Sequence, residues 1–223
     1  GTLAHVGPMT RTVEDAALLL TVISQPDSRD WFSLPADGRD YTQGLTKGIE
    51  GFRIAFAPAL GGAEVDADVA RLVRQAVKVL KEQGARVEEA DPGLGNPMET
   101  FRTLWWSGVR ALFTPMSDEN RKAADPELRD VYEQSKAITL DDLYVALARR
   151  AEFGSKMRQF MDRYDLLVTP TMPITAFEVG NLAPRRDETG KWVDWTPFTY
   201  QFNLTQQPAC SVRGAAAAAA ASR

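Results

Sequence analysis

Residues 52–90 limit the fold more than any other stretch. FRIAFAP, from Phe52 to Pro58, is an apolar run that predicts a strand. Asp66 is expected to cap a helix whose apolar positions, Val69, Leu72, Val73, Ala76 and Leu80, recur at helical spacing. Gly84 supplies the stop, since glycine takes the left-handed backbone that ends helices. Arg86 to Ala90 predicts a second strand. Strand, helix, strand at this length is a βαβ unit with parallel strands and a right-handed crossover. The class it implies is α/β, a mixed β-sheet flanked by helices. Gly61-Gly62 in the first strand–helix loop lacks both the dinucleotide fingerprint and the P-loop spacing, and reads as a plain flexible loop.

The second constraint is GPMTRTVEDAALLL, residues 7–20. Thr12 is a good N-cap, because its hydroxyl can accept from a free N–H of the first turn. Glu14 and Asp15 then meet the positive end of the helix dipole. Arg11 is placed to pair with Asp15 one turn on. Val13, Ala16, Ala17, Leu20 and Ile23 make one apolar face, and Leu18, Leu19 and Val22 extend it around the axis. The second half of this helix is expected to be buried nearly all round, with much of its cover outside this chain. Thr2 to Val6 reads as a short strand feeding it. Residues 25–47 are polar and rich in Pro and Gly, and read as a surface loop.

Further helices are expected from Asn96-Pro97 to about Phe113, from Asp125-Pro126, and from Thr139 to about Arg163. In the first, Met98, Phe101, Trp105, Val109 and Leu112 share a face. Trp105 and Trp106 point about 100° apart, so only one can face the same core and the other is open to a ligand cavity or partial cover. Leu128, Val131 and Tyr132 are expected to point inward from the second. Leu166-Leu167-Val168 within YDLLVTPTMPI predicts a strand buried on both faces, stopped by Pro170 and Pro173. Ligands of open α/β sheets bind beyond the carboxyl ends of such strands, which makes Thr169, Thr171 and Met172 pocket candidates. Asp187 to Asp194 reads as a polar loop tip, and Ala215 to Ala221 as part of a disordered or artefactual tail over 213–223.

Charge argues against nucleic acid as a partner: the net value is −4 and no basic run occurs. No apolar run suggests a membrane span and no signal peptide opens the chain, so the expected location is cytoplasmic. Gly1 is not read as the native start. A single cysteine, Cys210, leaves no internal disulfide framework, and a single histidine, His5, leaves no His-based metal site. No cofactor is implied. His5 lies on the short approach to a helix and reads as structural.

Three blocks resemble the amidase signature family, serine hydrolases that cleave amides: Gly7 to Leu20 with the Asp27–Pro35 stretch after it, Tyr164 to Ile174, and Phe198 to Val212. The last is similar to the family's aromatic–Asn–Leu–Thr–x–Gln–Pro–Ala segment, here at Phe202 through Ala209, with Gln206 and Arg213 where the family usually has Gly and Pro. The resemblance implies that residues 1–212 are the C-terminal part of such a domain. It implies a catalytic set of a serine nucleophile, a second serine with a cis peptide bond, and a lysine. None of these can be placed on this sequence: no serine sits in a Gly/Ser-rich loop, and no catalytic residue is transferred. What the chain retains is scaffold and one wall of a pocket for a small-molecule amide, with Thr171, Met172, Trp105 and Asn203 as candidates. The rest of the site belongs to a missing N-terminal half, in the same or another chain. Two alternatives stand beside this reading: a non-catalytic scaffold module acting with a partner, or part of a glutamyl-tRNA amidotransferase-like subunit.

Overall fold

The computed structural model describes residues 3–179 and 195–214. The loop tip at 187–194 and the alanine run both lie outside them. The chain opens with α1 (Val13–Ile23), and the expected surface loop follows as a series of turns. Strand β1 (Arg53–Phe56) leads through a 3₁₀ turn at Leu60–Gly62 into α2 (Ala67–Glu82) and then β2 (Arg86–Glu89). Four helices come next: α3 (Met98–Phe113), α4 (Asp118–Ala123), α5 (Pro126–Ser135) and α6 (Leu140–Met161). Strand β3 (Leu166–Val168) and the short α7 (Tyr200–Thr205) complete the described order.

The βαβ unit is present. The sheet order is β2-β1-β3, and both strand pairs are parallel, with Arg53 opposite Arg86 and Ile54 opposite Leu166. β1 is the buried centre: Ile54, Ala55, Phe56 and Ala57 have almost no exposed surface. Ala55 packs with Met157, Phe160 and Tyr164, so α6 and the turn after it cover one face. On α2, Val77 is buried and Arg74 lies over the Phe56 ring at 5.5 Å. That helix ends in a Schellman arrangement: the N–H of Gly84 reaches Lys81 O and that of Ala85 reaches Leu80 O. Gly84 has φ +92°, a backbone that glycine takes without steric cost.

The starts of α1, α3 and α6 follow the capping chemistry, whereas Asp66, the expected cap of α2, makes no side-chain cap hydrogen bond. Thr12 Oγ1 accepts from Asp15 N at 3.1 Å. Thr139 and Asp142 form a full capping box at the head of α6. Asn96 Oδ1 accepts from Met98 N at 3.0 Å, so the asparagine caps α3 although the helix begins one residue later than expected. α3 is the hub of the helical layer. Phe101 and Leu104 share a cluster with Leu3, Ala146, Tyr200 and Leu204, while Val109 and Phe113 join Val131 of α5.

Several expectations are corrected. Residues 3–6 are not a strand; Leu3 is instead buried, and its carbonyl accepts from the Asn203 side-chain amide. The all-round burial expected of α1 is not met among the described residues, in keeping with the expectation that much of its cover lies elsewhere: only Ala17 is buried, and Val13, Leu18 and Val22 are more than half exposed. The described residues supply no element to cover that side. β3 is not buried on both faces. Leu166 is 43% exposed, because β3 is the last strand of the described sheet and α6 covers one side of it. Leu112 faces solvent, since the inward stripe of α3 runs through Phe101, Leu104, Val109 and Phe113. Leu128 is also exposed, leaving Val131 and the half-buried Tyr132 to make the contact. Arg11 and Asp15 form no ion pair among the described residues.

One polar contact ties the sheet together over a long sequence distance. Arg53 donates through Nε and an Nη to the two carboxylate oxygens of Asp165, and its backbone N–H also donates to Asp165 Oδ2 at 2.8 Å. These donors favour the charged carboxylate, so the Asp165 pKa is lowered; the side-chain bond to Arg53 is the main cause. A lowered folded-state pKa contributes stability that is fully present above the unfolded value and is lost as pH falls through the folded one. Asp165→Asn is therefore expected to destabilise the protein at neutral pH. The gap between variant and parent should close below the ordinary carboxylate range of about pH 4, as read by denaturant midpoints across pH.

Candidate functional site

Ligands of open α/β sheets bind beyond the carboxyl ends of the parallel strands, which makes that edge the candidate site. Beyond β3 the chain passes the buried Pro170 and Pro173 and leaves Thr171 exposed between them. Thr171 Oγ1 lies 3.0 Å from Ser211 Oγ, which pairs two hydroxyls from segments 40 residues apart. Met172 is half-buried beside them. Each hydroxyl can both donate and accept, so the pair offers one donor and spare lone pairs to a polar group placed against it. Ser211 was not among the sequence candidates. It lies in the third family-like block, but nothing in its local pattern distinguishes it from an ordinary loop serine.

Trp105 and Asn203 lie elsewhere, in the α3–α7 layer. Trp105 stacks on Phe101 with ring centroids 5.6 Å apart, and Phe101 stacks on Tyr200 at 5.3 Å. Its indole packs against both helical clusters, so it bridges α3 with α5 and with α7. Trp106 is half-buried, with the Arg102 guanidinium 5.5 Å over its ring. Asn203 uses its side-chain amide to hold the Leu3 carbonyl, which makes it a tie between the chain's first described segment and α7. The next residue of α7 is held by Arg150 of α6, whose Nε donates to Leu204 O at 2.8 Å. Burial lowers the pKa of that arginine. The four sequence candidates therefore fall into two groups, Thr171 with Met172, and Trp105 with Asn203.

Gln201 is the polar residue that sequence reasoning missed. It is 1% exposed, its Nε2 donates to Pro197 O at 3.2 Å, and its Oε1 has no hydrogen-bond partner among the described residues. It sits against the turn after β1, where a Cβ on Gly61 would come within 3.0 Å of Gln201 Nε2 and 2.5 Å of Gly95 O. A glutamine inside a polar-looking helix carries no local signal of burial. His5 Nδ1 lies 3.1 Å from Leu3 O, a contact in which the ring N–H donates and the carbonyl accepts. Among the described residues no group of three or more His, Cys, Asp or Glu is placed to hold a metal ion. No described helix is long and apolar enough to cross a membrane.

A parallel βαβ sheet with a hydroxyl pair past one strand end and a helical layer on α3 defines an α/β protein of the kind that builds sites from loops. Comparison with known proteins specifies which. The chain belongs to the Amidase family, whose match runs over residues 1–219. It is 32% identical over 215 residues to an acylamidase of Rhodococcus erythropolis, covering 94% of this chain and 45% of that protein. It is 31% identical over 211 residues to a glutamyl-tRNA(Gln) amidotransferase subunit of Ligilactobacillus salivarius, covering 80% and 42%. Among solved structures, a bacterial aryl acylamidase of the amidase signature family superposes with a TM-score of 0.72 at 26% identity, covering 89% of this chain and 44% of that one. The chain thus spans less than half the length of the relatives it matches.

The departure at Gln206 acquires a structural meaning. Gln206 closes α7 with φ 62° and ψ 21°, the left-handed region, and is the one described non-glycine residue with positive φ. Glycine at this position is the residue the backbone asks for, because a Cβ crowds the following carbonyl there. Gln206→Gly is expected to raise unfolding free energy by about 1 kcal/mol. Asn203→Ala is expected to lower it by about 1–2 kcal/mol, since it frees the buried Leu3 carbonyl from its donor. Equilibrium denaturation of the two variants checks both signs.

Proposed function

We infer that the protein to which this chain contributes hydrolyses carboxylic amides by the Ser–Ser–Lys route, and that residues 1–212 act as the C-terminal part of its domain. The observation that carries this reading is the family match across 1–219, together with an acylamidase similar over nearly the whole chain. On this reading the nucleophilic serine, the bridging serine and the lysine belong to a segment preceding Gly7. In that chemistry the lysine and bridging serine move the proton of the nucleophile, so no histidine is required. His5, engaged at the Leu3 carbonyl, is compatible with such a scheme.

This chain's own part is scaffold and one wall of the substrate pocket. Thr171, with Ser211, and Met172 stand at the strand ends, where a small-molecule amide would be held by a hydroxyl donor beside an apolar thioether. Trp105 and Asn203 serve that wall indirectly, by fixing α3 and α7. The surface of α1 supports the need for the remaining half. Its uncovered Leu18, Leu19 and Val22 form an apolar face of the sort that marks an interaction surface. Cytoplasmic location stays with this reading, as part of the proposal.

Transamidation is the second reading, favoured by 31% identity to the amidotransferase relative over 80% of the chain. It calls for further subunits and a tRNA-linked substrate, and the net charge of −4 offers little to RNA.

The polypeptide of residues 1–223 alone is expected to show no amide turnover. Supplied with the N-terminal half of the same protein, as one chain or as two, it should hydrolyse an anilide or simple carboxamide. Turnover by residues 1–223 alone would overturn the division of labour. An active whole that releases ammonia only in the presence of a charged tRNA acceptor would select the transamidating reading.

A further inference from the structure

The amino ends of the strands, opposite the proposed pocket, carry a concentration of positive charge that the amidase reading does not use. Arg53 and Arg86 open β1 and β2 and are direct partners in the parallel register. Neighbouring strands lie about 4.8 Å apart, so their stems leave one face of the sheet side by side and their guanidinium charges repel. The turn after α6 adds Arg163 and Tyr164 to the same place. Arg53, Arg86, Val87, Glu88, Arg163 and Tyr164 line one surface depression of about 400 Å³.

The compensating carboxylates there are already engaged. Asp165 takes both side-chain bonds of Arg53. Glu88 accepts the hydroxyl of Tyr164. Arg86 and Arg163 form no ion pair among the described residues, and Arg163 instead lies 5.3 Å over the rings of Phe160 and Tyr164. With Asp165 counted in, three arginines face two carboxylates, so the depression keeps an excess positive charge in a chain whose net charge is −4. A guanidinium fixed against aromatic rings also loses little freedom when it binds, because its plane is already oriented. An oxyanion set between Arg86 and Arg163 would take forked, charge-assisted hydrogen bonds from both and relieve the Arg53–Arg86 repulsion.

We propose that the depression between the amino ends of β1 and β2 and the turn after α6 is a binding site for a small oxyanion, a phosphate or carboxylate group, with Arg86 and Arg163 as its ligands. It lies at the end of the strands opposite Thr171, so occupancy acts on the stability of the sheet rather than on the reacting bond.

The test is thermal unfolding of the intact protein titrated with inorganic phosphate and, separately, with succinate, each against sodium chloride at matched ionic strength. A saturable rise in midpoint beyond the chloride control is expected. Arg86→Gln and Arg163→Gln should each weaken the half-saturating concentration by roughly tenfold, the loss of one charge-assisted contact. Arg71→Gln, on the far flank of α2, should leave it unchanged. Stronger saturation by phosphate than by succinate assigns the site to phosphate-bearing ligands, and the reverse order to carboxylates. A response identical to chloride, or one that survives both arginine variants, overturns the proposal.

Discussion

Burial of β1 on both faces is the constraint on which the rest of the structure depends. A parallel strand cannot leave a face to water without exposing apolar side chains, so helices must pack on each side. The sequence of β1 accommodates this with small and medium residues. Ala55, on the α6 side, is small enough for Met157 and Phe160 to close directly over the backbone, and Met157 has no exposed surface. Ile54 and Phe56 fill the opposite side, where Arg74 of α2 spreads over the Phe56 ring. The Arg53–Asp165 pair then sets the register of β3 against β1 from residues 112 apart. Both side chains are about half exposed, so its value lies in geometry more than in energy.

The helical layer is organised by aromatic contacts. Trp105, Phe101 and Tyr200 stack in series, and Tyr200 reaches Asn96 at the head of α3 through its hydroxyl, 3.2 Å away. The stack joins the beginning of the chain, through Leu3, to α7 some two hundred residues later. Asn203 and Trp105, pocket candidates on sequence, thus take part in long-range contacts of the fold. Their polar and aromatic character serves long-range closure. The exposed side of α1 is the counterpart of that closure: where no described element returns to cover it, apolar residues remain at the surface.

The strand and turn that carry the candidate site were legible in the sequence, and little of their detail was. YDLLVTPTMPI identified a strand with a turn beyond it, and the structure puts Thr171 at that turn. Its partner Ser211 was not legible, because a contact across 40 residues leaves no trace in the pattern around either residue. Gln201 was hidden for the same reason. The departure at Gln206 could be seen as unusual, yet its left-handed backbone belongs to the way α7 ends.

Elements with a local cause could be read along the chain: the caps at Thr12, Asp125 and Thr139, the stop at Gly84, the βαβ unit, and the apolar periodicity of α2 and α3. These depend on hydrogen bonds and side-chain spacing within a few residues. Only the tertiary structure decided which apolar faces are covered. Leu112 and Leu166 have the same local credentials as Leu104 and Ile54, yet the first two meet water and the last two meet the core. Burial depends on what packs from elsewhere in the chain or from beyond it, and hydrophobic periodicity records only that a face is available to be covered.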